Sequence, residues 1–284
     1  MLGYKKTYTL PFKFIIPSYI DEFLKKRSII KFWVKYFKRY LYILFTGQQS
    51  LEVLKISDKH NYILWINFSA PSLGDSLMDL SSRVLLTNRK VDLVTNKKNA
   101  NLYKNDLVFS SVYSDINDLV NKNYDLVIID SYSTRSIKIK TKVAKLKPFF
   151  GMYGYFNGPE VNRVLFSFHQ MNSFIGYIKT ESEINNIAKS SLSISIDDQK
   201  LIKKLKLPIN FIAIAIGGEW DYRTYKNWCK VIEILFLKDK SLQIILLGSD
   251  NAKETEKEIL EHFSTSHLVS YVAKLTFNQT GEII

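Results

Sequence analysis

The chain has 284 residues, 46% of them hydrophobic and 14% aromatic, enough to bury a sizeable core as one large domain or two modest ones; no repeat or low-complexity tract argues for a solenoid or a disordered chain. Its single cysteine, Cys229, excludes an intrachain disulfide and fits a reducing compartment; placed behind Trp228 in a helical pattern, it reads as core filler. The net charge is +13, and residues 1–60 hold 12 Lys/Arg against 4 Asp/Glu, so +8 of it belongs to an N-terminal extension and describes that extension's partner.

Within the extension, residues 23–45 (FLKKRSIIKFWVKYFKRYLYILF) predict a helix. Ile29, Trp33, Tyr36, Phe37, Tyr40 and Leu44 recur at helical spacing, with Arg27, Lys31, Lys35, Lys38 and Arg39 mostly opposite. Two readings fit: a helix packed on the globular body with its basic face in water, or a helix in peripheral contact with an anionic membrane. The charge-free stretch Tyr40–Leu51 is too short to span a bilayer, no signal-peptide pattern is present, and no module signature supports nucleic-acid binding.

From residue 61 short apolar runs alternate with amphipathic stretches. Tyr62–Phe68 reads as a strand, Ser76–Leu86 as a helix, Val91–Val94 and Leu107–Val112 as strands, Ile116–Val120 as helical, and Leu126–Asp130 (LVIID) as a buried strand. Residues 148–160 read as an aromatic loop punctuated by Gly and Pro, 161–178 as mixed helix, and 181–207 as an interdomain region. A second unit opens with the buried strand Phe211–Ile216. A helix Tyr225–Leu237, a strand Leu242–Leu247, a helix Lys253–Phe263, a strand Leu268–Val272 and a helical start at 277–284 follow. Strands alternating with helices predict an α/β protein with two parallel-sheet domains, 61–180 and 208–284, behind the 1–60 extension.

In such sheets ligands bind beyond the carboxyl ends of the strands, and two loops stand there. In Ser69-Ala70-Pro71-Ser72-Leu73-Gly74-Asp75, Gly74 would permit a tight turn and Asp75 would open the next helix, either as a general base towards an acceptor hydroxyl or as an ordinary helix-terminal acid. In the second loop, Gly217 and Gly218 would let a phosphate approach backbone N–H groups, and Arg223 would neutralise a diphosphate; the alternative is a glycine turn with a surface arginine. The four histidines have no metal-ligand spacing, His169 reads as a packed or capping residue, and no nucleophile elbow is present.

Together these segments resemble glycosyltransferase family 9, the ADP-heptose:lipopolysaccharide heptosyltransferases and their relatives. The likeness runs over ILWINFSAPSLGDSLMDL (63–80), KVDLVTNKKNANLYKNDLVFSSVY (90–113), NYDLVIID (123–130), INFIAIAIGGEWDYRTYKNW (209–228), SLQIILLGSDNAKETEKEI (241–259) and HLVSYVAKLTFNQTGEI (267–283), about residues 61–284 taken as a whole. The resemblance implies a GT-B architecture of two Rossmann-like domains with the site in the cleft. It also implies sugar transfer with inversion from a nucleotide-sugar donor, ADP-heptose in the first instance, to a lipid-linked glycan acceptor, with no cofactor and no obligatory metal. It assigns Asp75 as base, with Ser72 and Gly74 in the acceptor-side loop, and Gly217, Gly218, Arg223, Glu254 and Thr276 to the donor, Asp250 competing with Glu254. It implies a cytoplasmic enzyme, peripheral on the inner membrane face.

Departures from the family pattern keep two other readings open. The chain ends at Ile284, before the family's Asp-Ser-Gly-x-x-His loop, so the donor domain reads as incomplete; Ala273 stands where glycine is usual, and Tyr225 where tryptophan is commoner. The alternatives are an inactive remnant of such an enzyme and a non-enzymatic, membrane-associated α/β binding protein.

Overall fold

The computed structural model of the chain describes residues 29–70, 72–153, 162–218 and 223–284. They divide into two compact units, one ending at Leu192 and the other beginning at Ser193.

The first unit is an all-parallel five-stranded sheet. Its strands are β1 (Tyr62–Asn67), β2 (Lys90–Thr95), β3 (Phe109–Tyr113), β4 (Leu126–Ile129) and β5 (Phe149–Gly151), in the order β3-β2-β1-β4-β5. The helices that accompany them are α1 (Ile29–Phe45), α2 (Leu73–Asp79), α3 (Lys97–Tyr103), α4 (Thr134–Ala144), α5 (Arg163–Phe174) and α6 (Glu181–Ile187). β1 pairs with β2 on one side and β4 on the other, so the winding reverses between β1 and β4, the position at which open α/β sheets form a binding crevice. The near-unbroken apolar runs of β1 and β4 follow from burial on both faces. Ile63 and Trp65 join one core with Leu126, Ile128, Phe150, Phe166 and Phe174, while Leu64 and Ile66 join the other with Val127, Ile129, Ile137 and Phe149.

Two elements differ from the sequence expectation. The run expected as a loop at 148–160 begins with β5, which three residues pair to Val127–Ile129; a strand that short leaves no periodic signal, and 154–161 lie outside the described residues. The helix expected over Ser76–Leu86 starts earlier, at Leu73, and gives way to a 3₁₀ turn at Ser81–Leu85. Buried there, Arg83 pairs with Asp106 at 2.7 Å and donates to the Ser191 carbonyl at 2.9 Å, which anchors the last residues of this unit.

Residues 29–45 of the extension are helical, as expected, and 1–28 lie outside the described residues. The packing face differs from the one read off the periodicity. Arg39, expected on the wet side, is buried beside Ile43, while Leu44, expected on the packed side, is exposed. Burial lowers the Arg39 pKa, an effect opposed by the Asp130 carboxylate at the end of β4. The helix ends in a Schellman motif. Gly47 has φ 68°, its N–H bonds to the Leu44 carbonyl, and the Gln48 N–H bonds to that of Ile43. The turn delivers the buried Gln48 side chain to Lys140 of α4, whose pKa burial pushes down to about 8.

The second unit holds α7 (Ile196–Lys204), β6 (Ile212–Ala215), α8 (Trp228–Lys238), β7 (Ile244–Leu247), α9 (Lys253–His262), β8 (Leu268–Ser270) and α10 (Phe277–Ile283). Its parallel sheet has the order β6-β7-β8. β7 alternates between two cores, Ile244 and Leu246 facing one, Ile245 and Leu247 the other. β6 was expected to be a buried strand; it is an edge strand, with Ile212 and Ala215 exposed. Residues 181–207 hold α6, whose Ile184 is buried in the core of the first unit, and α7, which packs with α10 in the second.

Ala273 follows β8 at φ 55°, the left-handed region that costs a Cβ-bearing residue about 1 kcal/mol or more. Ala273→Gly is expected to stabilise the chain by about 0.5–1 kcal/mol, read as a higher midpoint in urea with an unchanged slope; an unchanged or lower midpoint would count against strain at this position.

Candidate functional site

The upper edge of the first unit, where its strands end, is organised by Asp130. This buried carboxylate accepts from the Phe68 N–H at 2.9 Å, the Ser69 N–H at 2.5 Å, the Ser131 N–H at 2.7 Å and the Ser136 hydroxyl at 2.6 Å. The loop leaving β1 is thereby tied to the end of β4, across the place where the winding reverses. Ser72 then caps α2, its hydroxyl oxygen accepting from the Asp75 N–H at 3.2 Å, which sets Asp75 in the first helical turn.

Asp75 sits in a four-residue constellation. Its Oδ2 accepts from the Ser72 hydroxyl at 2.7 Å and its Oδ1 from the Arg163 guanidinium at 2.6 Å. Arg163, the first residue of α5, forks onto Asp79 as well, through Nε at 2.6 Å and Nη2 at 2.9 Å. The Arg163 guanidinium lies 5.7 Å from the centre of the Tyr153 ring, which stacks on Phe166. Burial pushes the Asp79 pKa up to about 6 against the pull of Arg163. Burial alone would lower the Arg163 pKa, and Asp79, Tyr153 and Asp75 together more than offset it, so the net direction is upward. The Tyr153 hydroxyl is raised well above its ordinary value by burial and by Asp79. Asp75 itself is only partly buried, and a carboxylate has about four acceptor directions, so two donors leave it room for a third.

The two acceptor-side expectations of this region, Ser72 and Gly74, separate. Ser72 is the helix cap. Gly74, expected to make a tight turn, lies in the first turn of α2 without a left-handed φ, and a Cβ there would meet nothing within 4 Å. The fold does not require glycine at 74; its absent side chain leaves open space beside Asp75. Pro71 lies outside the described residues.

Sequence reasoning missed Arg163, Asp79 and Tyr153. Asp75 and Asp79 stand four apart on one helix, a like-charge pair that calls for a cation, and this was the available signal. It also missed two buried amides of the upper edge, Asn67 at the end of β1 and Asn99 in the first turn of α3, whose Nδ2 atoms have no hydrogen-bond partner among the described residues.

In the second unit, Gly217 and Gly248 are glycines for close packing: a Cβ on either would stand 2.8 or 2.6 Å from the Ala252 Cβ. Gly218 abuts the Arg223 backbone, and its N–H, expected to be open to a phosphate, donates to the Thr224 hydroxyl at 3.2 Å; its carbonyl accepts from Asn251. Arg223 is exposed, and 219–222 lie outside the described residues. Thr276 caps α10, its hydroxyl accepting from the Gln279 N–H at 3.2 Å. Glu254 is exposed in the first turn of α9, and Asp250 pairs with Lys253 at 2.6 Å. The structure thus gathers Gly217, Gly218, the Arg223 backbone and Asn251. Among the described residues no group of His, Cys, Asp and Glu suits a metal ion, and His169 is buried in α5 against Asn185 at 3.2 Å.

No family profile matches the sequence, and no curated protein matches it by sequence. Solved structures do match. E. coli ADP-heptose lipopolysaccharide heptosyltransferase II is 16% identical over 78% of this chain and 76% of its own, with a TM-score of 0.57. The glycosyl transferase family 9 protein of Veillonella parvula DSM 2008 is 10% identical over 80% and 74%, with a TM-score of 0.59. E. coli heptosyltransferase WaaC, solved with ADP, is 16% identical over 78% and 77%, with a TM-score of 0.54. The fold is therefore heptosyltransferase-like, of the α/β, GT-B type.

Because the Asp79 pKa is raised from 3.8 to about 6, the folded state holds its proton more tightly than the unfolded one, so this contribution to stability is full below pH about 4 and is lost as pH rises through 6. Its size is about 3 kcal/mol. Unfolding free energies of the wild type and Asp79→Asn, measured across that window, are expected to diverge by this amount; parallel curves would show that Asp79 titrates normally. Arg163→Ala is expected to destabilise by about 3–5 kcal/mol at neutral pH, since it leaves a buried carboxylate unpaired.

Proposed function

We propose that this chain is a glycosyltransferase that moves a sugar, heptose in the first instance, from a nucleotide-sugar donor to a hydroxyl of a lipid-linked surface glycan, with inversion. The observation that carries the reading is Asp75. It is a partly exposed carboxylate at the crevice position of a heptosyltransferase-like sheet, with each oxygen already oriented by one fixed donor.

In the reaction the acceptor hydroxyl takes a remaining acceptor direction of Asp75. As its oxygen bonds to the anomeric carbon, its proton passes to the carboxylate and the bond from that carbon to the diphosphate breaks. Arg163 and Ser72 keep the carboxylate aimed, and Asp79 holds Arg163 in place through a two-point bond. The nucleoside diphosphate leaves with its own charge, which Arg223 and the loop at Gly217 and Gly218 are suited to receive. The E. coli heptosyltransferase WaaC was solved with ADP, which supports a nucleotide ligand for this fold.

One observation favours the second reading, a binding protein or inactive relative: the Gly218 N–H is already bonded to Thr224, which removes one donor a diphosphate would use.

Three variants discriminate. Asp75→Asn is expected to lower sugar transfer about 10²–10⁴-fold, measured by nucleoside diphosphate release with a lipid-linked acceptor, and to leave donor binding intact. Gly74→Ala is expected to raise helix stability by up to about 1 kcal/mol while reducing transfer, because the methyl group fills the space beside Asp75. Arg223→Ala is expected to weaken binding of ADP-heptose or a UDP-sugar at least about tenfold in a titration. Transfer undiminished in Asp75→Asn would remove Asp75 from the chemistry, and no saturable binding of any nucleotide sugar by the wild type would favour the second reading.

A further inference from the structure

No helix among the described residues is long and apolar enough to cross a membrane, yet α1 leaves an apolar strip uncovered. Val34 is 62% exposed, Leu41 42%, Leu44 44% and Phe45 82%, at positions i, i+7, i+10 and i+11 of one helix face. The opposite face, with Arg39 and Ile43, packs on the body. The strip continues beyond the helix. The Gln48 amide donates to the Lys145 carbonyl at 3.3 Å, and the Val53 N–H donates to the Phe149 carbonyl at 2.9 Å, so the end of α1, residues 53–54 and residues 145–149 meet at one corner of the unit. Leu54 (75% exposed) and Leu146 (79% exposed) stand there. Lys38, Lys55 and Lys145 are exposed along the same course.

We propose that this flank, α1 with the corner at Leu54 and Leu146, seats on the surface of a bilayer that contains anionic lipid. An apolar strip edged by cations matches both layers of such a surface, acyl chains for the leucines and Phe45, headgroup phosphates for the lysines. The excess of positive charge in residues 1–60 adds to the second term. A second copy of the chain is the poorer occupant, because a two-fold contact places like patches together and would set these lysines against their own counterparts. The middle of α1 lies near Asp130 at the upper edge of the sheet and its end lies by Lys145. α1 thus runs along the sheet face that carries α4, from the upper edge to the opposite one.

The test is flotation of the full chain with vesicles of phosphatidylcholine alone and of phosphatidylcholine with about 30 mol% phosphatidylglycerol. The wild type is expected to float with the anionic vesicles and at least about tenfold less with the neutral ones. Leu41→Ser with Phe45→Ser is expected to cut binding to the anionic vesicles about 30-fold or more, with an unchanged circular dichroism spectrum and melting temperature because both side chains are exposed. Lys38→Glu with Lys145→Glu is expected to abolish the preference for anionic lipid. No flotation, equal flotation with both vesicle types, or full flotation of the Leu41→Ser, Phe45→Ser variant would overturn the proposal. So would a wild-type dimer in light scattering that the same variant breaks without any vesicle binding, since that assigns the strip to a second copy. Flotation needs no sugar transfer, so this result stands or falls apart from the proposed activity.

Discussion

One buried carboxylate organises the upper edge of the first unit. Asp130 directly follows strand β4 and accepts four hydrogen bonds, two of which come from the loop leaving β1. A carboxylate so enclosed is tolerated because every bond it accepts replaces one to water, and charge strengthens each of them. Three elements are fixed by this choice. The β1 loop cannot drift, so Ser72 meets α2 at a set angle. α4 is held through Ser136, and the positive charge of Arg39 on α1 is drawn towards the same point. The crevice and the attachment of the N-terminal helix therefore share one electrostatic anchor.

Much of this architecture was legible in the sequence for a simple reason: a parallel strand buried on both faces reads as an unbroken apolar run. YILWIN and LVII are such runs, and they became the two strands that bracket the crevice. Asp75 was legible because it stands in the loop that follows the first strand, beyond the carboxyl end where such sheets bind ligands. Arg163 was not, because its partners lie 88 and 84 residues earlier and nothing local to RVLFSF announces them. β5 was lost for want of length. The face of α1 was misassigned because periodicity reports two faces without saying which one meets the body; a buried Arg39 opposed by Asp130 reverses the ordinary preference of a basic side chain for water.

Glycines taught a related lesson. Gly217 and Gly248 were needed, and the need came from the methyl group of Ala252 rather than from a ligand. Gly74 was not needed by the backbone at all, which makes its small size more informative about what approaches Asp75. The same residue type thus answers to packing in one unit and to open space in the other, and only the surroundings of each Cβ position separate the two cases.

The attachment of α1 also has a consequence in time. Gln48 and its partner Lys140 are separated by 92 residues. At synthesis rates of about 5–20 residues per second, α1 leaves the ribosome roughly 5–20 s before α4 exists to receive it. During that interval both its packing face and its outer strip are uncovered, and the helix meets its surroundings before it meets its own fold. What first shelters this segment in the cell is settled by the order of translation, before thermodynamics has a complete chain to act on.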